Sequence, residues 1–247
     1  MTDNLDGAVA LVTGATSGIG EATAVKLAQL GAAVIVHGRD ADRGAAVVKG
    51  IQAGGGQARF LAADLSHPDE VRRLAQEAGD VDILVNNAGV YQFGSTFDVD
   101  DATFDLHINT NLRAPFLLVK HLEPAMAARG AGAVVNVSTF GASVAGKLGG
   151  IYGASKAALD LMTLVWADEF GPSGVRVNAV AAGPTRTPGT AVYGEMAEAL
   201  GHAFALGRTA DAREIAEAVV FLASPAASYV NGAVLQVHGG LKAVMPG

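Results

Sequence analysis

Seven short apolar runs recur along the chain, at 8–13, 33–37, 58–62, 82–86, 133–138, 175–181 and 233–237. They are rich in Val, Ile and Leu and show no polar alternation, the pattern of strands buried on both faces of a parallel sheet. Six longer stretches with helical character lie between them, roughly 18–30, 41–53, 67–78, 101–129, 152–171 and 211–223. Asp211-Ala212-Arg213-Glu214 and Ser66-His67-Pro68-Asp69 read as capping boxes, the second with Pro near N1. Strands alternating with helices predict an α/β fold: one doubly wound, seven-stranded parallel sheet with helices on both faces. Only 182–210 breaks the rhythm. It carries Pro184 and Pro188, follows a strand end and reads as a lid over a site. No internal repeat or linker divides residues 1–247, so a single domain is expected.

Composition narrows the function classes. Half the residues are hydrophobic, 17% are charged and the formal net charge is −7, which disfavours a nucleic-acid partner. Cysteine is absent, which excludes a disulfide scaffold, a thiolate nucleophile and zinc held by Cys. The first apolar run is preceded by two Asp and no Lys or Arg, unlike a signal peptide, and no run is long enough to span a bilayer. A soluble, cytoplasmic protein with no membrane partner is expected.

The first strand ends in Thr13-Gly14-Ala15-Thr16-Ser17-Gly18-Ile19-Gly20 and a helix follows. Glycines there allow a tight turn and close approach of the backbone to a pyrophosphate at the helix N-terminus. The spacing alone is weak in a chain with 32 glycines; its place between strand and helix is what favours phosphate binding over a merely structural turn. The second strand ends in Val36-His37-Gly38-Arg39-Asp40. A carboxylate at the strand tip would bind the ribose hydroxyl of NAD, but Gly38 stands there and Arg39 suits the 2′-phosphate of NADP. NADP(H) is therefore preferred, with NAD(H) the alternative, and with solvated loop residues as the structural reading of Arg39 and Asp40.

Tyr152 and Lys156 stand four residues apart, on one helix face. Ser138-Thr139 lies past a buried strand thirteen residues before the Tyr, Asn86-Asn87-Ala88-Gly89 ends the fourth strand, and Asn111 lies in the helix between. All converge on the C-terminal ends of strands, where open α/β sheets bind ligands.

Together with Asp64-Leu65, Thr110-Asn111-Leu112, YGASK at 152–156, Val177-Asn178, Gly183-Pro184 with Thr187 and Gly239-Gly240, these motifs resemble the short-chain dehydrogenase/reductase family over nearly the whole chain. The likeness is to its short single-domain branch, that of the 3-oxoacyl-carrier-protein reductases, and it implies a Rossmann-like fold. It also implies that Tyr152 is the proton donor to a carbonyl during reduction and the base during oxidation. Lys156 would hold the nicotinamide ribose and lower the Tyr pKa, Thr139 would take the place of the usual Ser, and Asn111 would hold a water of the proton relay. Gly14, Thr16, Ser17, Gly18, Ile19, Gly20, Arg39, Asp64, Leu65, Asn87, Ala88 and Gly89 would contact the adenosine and phosphates. Gly183, Pro184, Thr185 and Thr187 would hold the nicotinamide side. A free phenol near pKa ~10 is poorly matched to neutral pH, and a neighbouring ammonium favours the phenolate. The chain departs from the family pattern at Thr139, at Ala182 where Pro is usual before Gly183, and at His238 where Asp is usual. The family commonly forms homotetramers through its long helices and last strand, so a tetramer or dimer is expected.

By position relative to the motifs, Val90, Tyr91, Phe93, Phe140, Ala142, Val144, Ile151 and Tyr193 are expected to line a mostly apolar substrate pocket. A 3-oxoacyl thioester, a cyclic or steroid-like ketone and a simple aromatic ketone all fit. A serine hydrolase is disfavoured because no G-x-S-x-G is complete, and a zinc hydrolase because the six His are scattered without H-E-x-x-H. Those His read as surface or satisfied structural residues, and no metal is expected. A non-catalytic nucleotide-binding sensor on the same fold is the remaining alternative, disfavoured because both Tyr152 and Lys156 are present.

Overall fold

The computed structural model describes residues 4–147 and 149–241. The seven expected strands form one parallel sheet: β1 (Val9–Val12), β2 (Ala33–Gly38), β3 (Gln57–Ala62), β4 (Ile83–Asn86), β5 (Gly132–Thr139), β6 (Val175–Ala182) and a last strand, β9 (Val234–Val237). Their order is β3-β2-β1-β4-β5-β6-β9. The chain winds one way through β1–β3 and the other way from β4, so the sheet reverses direction between β1 and β4. That reversal opens the crevice where such sheets bind ligands.

Strand side chains alternate between two apolar cores, which is why the strand sequences show no polar alternation. Val12, Val34, Val36 and Val135 face the core beneath α1 (Gly18–Gln29), α2 (Ala41–Ala53) and α8 (Ala212–Ala223), against Leu27, Ile51, Ile215 and Val219. Leu11, Ile35 and Val134 face the opposite core, against Val71 and Leu74 of α3 (Pro68–Ala78), Leu118 and Met126 of α5 (Ala114–Arg129), and Leu159 and Trp166 of α6 (Gly150–Phe170).

The expected helix over 101–129 is divided. α4 (Asp101–Ile108) runs into a π turn at Asn109–Arg113 before α5 begins. The 182–210 stretch contains two two-residue strands, β7 (Thr185–Arg186) and β8 (Ala210–Asp211), paired in parallel, and α7 (Gly194–His202). The capping box at Asp211 forms: its carboxylate accepts from Arg213 N at 2.9 Å and Glu214 accepts from Asp211 N at 2.8 Å. The one expected at Ser66 does not. His67 is the N-cap of α3 without a side-chain cap bond, because Ser66 Oγ donates to Asp64 Oδ1 at 2.8 Å instead. Among the described residues no helix is long and apolar enough to cross a membrane, and no cluster of three His, Cys, Asp or Glu could hold a metal.

Candidate active site

The turn after β1 is fixed from below. Thr13 Oγ1 donates to Val85 O and accepts from the backbone of Asn87 and Ala88, and Asn87 Nδ2 donates to Thr13 O at 2.8 Å and Gly14 O at 3.1 Å. Gly14 and Gly18 sit at φ +62° and +59°, the left-handed region that glycine enters without cost. A Cβ on Gly20 would lie 2.3 Å from Gly14 O, so α1 can approach the turn this closely only through glycine. Ser17 is the N-cap of α1 without a side-chain cap bond, so the first amides of that helix keep their donors for an incoming anion. Thr187 packs over Gly18, placing the start of the 182–210 stretch against the turn.

At the tip of β2, a Cβ on Gly38 would meet Thr16 Cγ2 at 2.4 Å, so the strand end is pressed onto the turn. Arg39 is exposed and has no carboxylate at ion-pair distance among the described residues, whereas Arg43 is occupied by Asp40 at 2.9 Å. Burial alone would raise the Asp64 carboxyl. Two hydrogen bonds from Ser66 and the charges of Arg39 and His67 outweigh burial and hold it below its ordinary value.

Across the crevice, α6 brings Tyr152 and Lys156 to the end of β5. Lys156 is 3% exposed and donates from Nζ to Val137 O at 2.7 Å. Burial pushes its ammonium down to about 8, with the Asp160 carboxylate opposing. Burial pushes the Tyr152 phenol up to about 12, and a hydrogen bond with the Thr139 side chain works against that rise. Thr139 Oγ1 accepts from Gly141 N at 3.2 Å, which leaves its own proton to donate. A Cβ on Gly89 would come within 3.4 Å of both Lys156 Nζ and Asn111 Oδ1, so glycine there keeps the space before the lysine open. Asn111 is fully buried in the π turn. Its Oδ1 accepts from Val90 N, and its Nδ2 donates to Val90 O at 2.9 Å and to Ser155 Oγ at 3.0 Å.

Two rings pack against Tyr152, and a third packs against one of them. Tyr91 and Phe93 meet Tyr152 edge to face, with centroids 6.3 and 5.8 Å away, and Tyr193 meets Phe93 at 5.5 Å. Tyr193 Oη donates to Tyr91 O at 3.1 Å, and the Tyr91 hydroxyl lies so close to Gly189 that no Cβ fits there. The 182–210 stretch is thereby joined to the loop after β4, over Tyr152.

Comparisons with known proteins agree with this geometry. A family described as enoyl-(acyl carrier protein) reductase matches residues 14–242. A solved structure of a short chain dehydrogenase/reductase family protein shares 49% identity and superposes with TM-score 0.91, covering 96% of this chain and 98% of its own. The chain belongs to the short-chain dehydrogenase/reductase family. It is an oxidoreductase of that family, and it resembles the 3-oxoacyl-carrier-protein reductases within it. One such reductase, from Agrobacterium tumefaciens, was solved with NADP bound; it is 32% identical with TM-score 0.93, covering 97% of this chain and 96% of its own. The cis-4-hydroxycyclohexanecarboxylate dehydrogenase of Sinomonas cyclohexanicum is 39% identical over 242 residues, 96% of this chain and 97% of that protein.

Not every pocket residue expected of this short-chain dehydrogenase/reductase gathers at the phenol. Phe140 pairs with Phe204 at 5.0 Å, and Phe204 with His238 at 5.7 Å, toward the end of β9. Val144 lies exposed on the loop before α6, and Val90, Ala142 and Ile151 are half-buried. Gly183 N donates to Val237 O at 2.9 Å, Pro184 O accepts from Ala210 N at 2.8 Å, and Thr185 Oγ1 donates to Gly183 O at 2.9 Å. Ser138 is buried and its hydroxyl makes no hydrogen bond of good geometry, although it lies close enough to Asp160 to oppose the rise that burial imposes on that carboxyl. Sequence reasoning missed Ser155 as the partner of Asn111, although it lies inside the YGASK motif.

Proposed function

We propose that the protein transfers a hydride between NADP(H) and a ketone or secondary alcohol, with Tyr152 as proton donor and acceptor. The observation that carries this reading is the convergence of the Tyr152 phenol, the Thr139 hydroxyl and the buried Lys156 ammonium at the end of β5. The crevice suits a nicotinamide dinucleotide: the uncapped α1 N-terminus faces the phosphate position, and Gly89 keeps room before Lys156. When bound, the cofactor supplies the hydride in reduction and accepts it in oxidation. Tyr152 gives its proton to the carbonyl oxygen as the alcohol forms, and takes it back in the reverse direction. Thr139 donates a hydrogen bond to the same oxygen while charge develops on it. Lys156 would hold the ribose, and a cation brought close to the phenol would oppose the rise that burial imposes on it.

The unpaired guanidinium of Arg39, with no carboxylate at the β2 tip, supports NADP over NAD. The NADP in the Agrobacterium reductase points the same way. The rim of Tyr91, Phe93 and Tyr193 favours an apolar ring as substrate; the Sinomonas relative is named for a cyclohexane ring too, one that also carries a carboxylate. We read the chain as one catalytic domain whose 182–210 stretch covers the substrate. Phe116, Leu161, Leu164 and Val165 leave an apolar face on α5 and α6 that suits a homotetramer. A panel of cyclic, aromatic and 3-oxoacyl thioester ketones, assayed with NADPH and NADH and their oxidised forms, tests the function. Turnover with NADPH on a ring ketone is the expected result; binding of NADPH without turnover of any carbonyl or alcohol overturns it in favour of a sensor.

A further inference from the structure

We propose that His37 is a positioning residue for the nucleotide, its neutral imidazole holding the glycine-rich turn at the place where phosphate binds. The inference rests on the reading of that turn as the phosphate site. His37 is the penultimate residue of β2 and is 2% exposed. Its Nε2 lies 3.1 Å from Ala63 O. A carbonyl oxygen only accepts, so Nε2 carries the proton. Nδ1 is therefore bare, and it accepts the Gly14 N–H at 3.2 Å. The backbone oxygen of His37 takes the next amide, from Ala15, at 2.8 Å. One residue thus engages the first two amides of the turn and turns them away from the crevice. The amides beyond them, at the start of α1, remain for the phosphates.

The same ring reaches the exit of β3, where Ala63 leads into Asp64 and Leu65. It therefore spans the two segments that border the crevice on the nucleotide side. The turn has little slack on its other side, since a Cβ on Gly14 would lie 2.9 Å from Ala88 Cα. An apolar side chain at 37 would leave the Gly14 N–H and Ala63 O without partners in a buried setting, and the turn would shift to recover them. Tyr152, Thr139 and Lys156 stand on the far half of the sheet and would keep their places.

Asparagine and glutamine separate the two contacts. Asn Oδ1 is as many bonds from Cβ as Nδ1 of His, so His37→Asn keeps the acceptor for Gly14. The Gln amide nitrogen matches Nε2, so His37→Gln keeps only the donor to Ala63. The measurements are the NADPH dissociation constant by nicotinamide fluorescence without substrate, kcat at saturating NADPH, and the unfolding midpoint. His37→Leu and His37→Gln should weaken NADPH binding about tenfold or more, with kcat within about twofold. His37→Asn should bind within about threefold of the parent protein. The proposal fails if His37→Leu binds as the parent does, if Asn is no better than Gln, or if kcat falls while affinity holds. If Leu does not fold, the Asn and Gln pair decides. A parent protein that binds no NADPH overturns the phosphate reading and this one together.

Discussion

Asn111 donates to Ser155 Oγ at 3.0 Å, linking the π turn between α4 and α5 to the helix that carries Tyr152 and Lys156. Its other N–H and its oxygen are engaged by Val90, whose C=O and N–H it bonds at 2.9 Å each. The residue is thus a brace between the loop after β4 and α6. Asn111→Leu should cost about 1–3 kcal/mol of stability, because buried partners on two segments lose their bonds. It should also lower kcat as the Val90 loop and α6 drift apart. Urea unfolding and steady-state kinetics check both effects, and an unchanged unfolding midpoint would contradict the brace.

Tyr152→Phe removes the hydroxyl proposed as proton donor and leaves the ring in place. Turnover should be lost while NADPH binds within about threefold, since the phenol acts on substrate. Lys156→Ala should damage both, if its ammonium holds the ribose and acts on the phenol as proposed. Parallel fluorescence titrations and rate measurements separate the two patterns.

The Thr139 hydroxyl should carry the work that the family gives to Ser. Losing an oxyanion donor costs ~10²–10³ in kcat, so Thr139→Val should fall by that much, while Thr139→Ser should stay active and accept bulkier ketones. Ser138→Ala should be mild in rate. If Ser138→Ala lost the rate that Thr139→Val kept, the hydroxyl role would belong to Ser138.

Arg39 should select the 2′-phosphate. Arg39→Ala is expected to raise KM for NADPH by about tenfold and leave KM for NADH nearly unchanged. A parent protein that prefers NADH would remove this assignment.

Acid should weaken the fold through His37. Burial holds its ring down at about 4, with Ala63 O and the Asp64 carboxylate raising it and Arg39 lowering it. Between pH 6.5 and 4 the unfolded chain binds the proton that the folded ring refuses, so stability is lost as pH falls through that window. The loss from this site should reach roughly 2–3 kcal/mol at pH 4.5 relative to pH 7. His37→Asn should show a shallower decline in urea unfolding across the same range; an identical decline would place the acid sensitivity elsewhere.

The strands were legible because both faces of each are buried, which leaves runs such as Val34-Ile35-Val36 without polar interruption. The glycine-rich turn and the Tyr152–Lys156 pair were legible as places in the fold because residues of fixed type recur there at fixed spacing, between a strand and a helix and on one helix face. The π turn was not, since Asn109–Arg113 carries no Pro or Gly and its neighbours on both sides are helical. α7 lay inside the 182–210 stretch, which read as a lid because of Pro184, Pro188 and its place after a strand end. Phe140 was assigned to the substrate pocket from its neighbour Thr139. The short 3-10 turn that begins at Phe140 instead brings its ring to Phe204. His37 was invisible as a functional residue because its value lies in two contacts separated by 23 and 26 positions in sequence.

α6 is a single helix of 21 residues, fastened in its second turn by Asn111 on Ser155 and further along, where Thr163 accepts from Asn136. The rings against its phenol come from the loop after β4, and Tyr193 of the 182–210 stretch packs on one of them, all outside that helix. The phenol and its cover therefore sit on different segments, tied to one another through Asn111. Exchanging Phe93 or Tyr193 can reshape what the protein admits without moving the phenol, so new substrates are within reach of one or two changes in the cover while the chemistry underneath stays as it is.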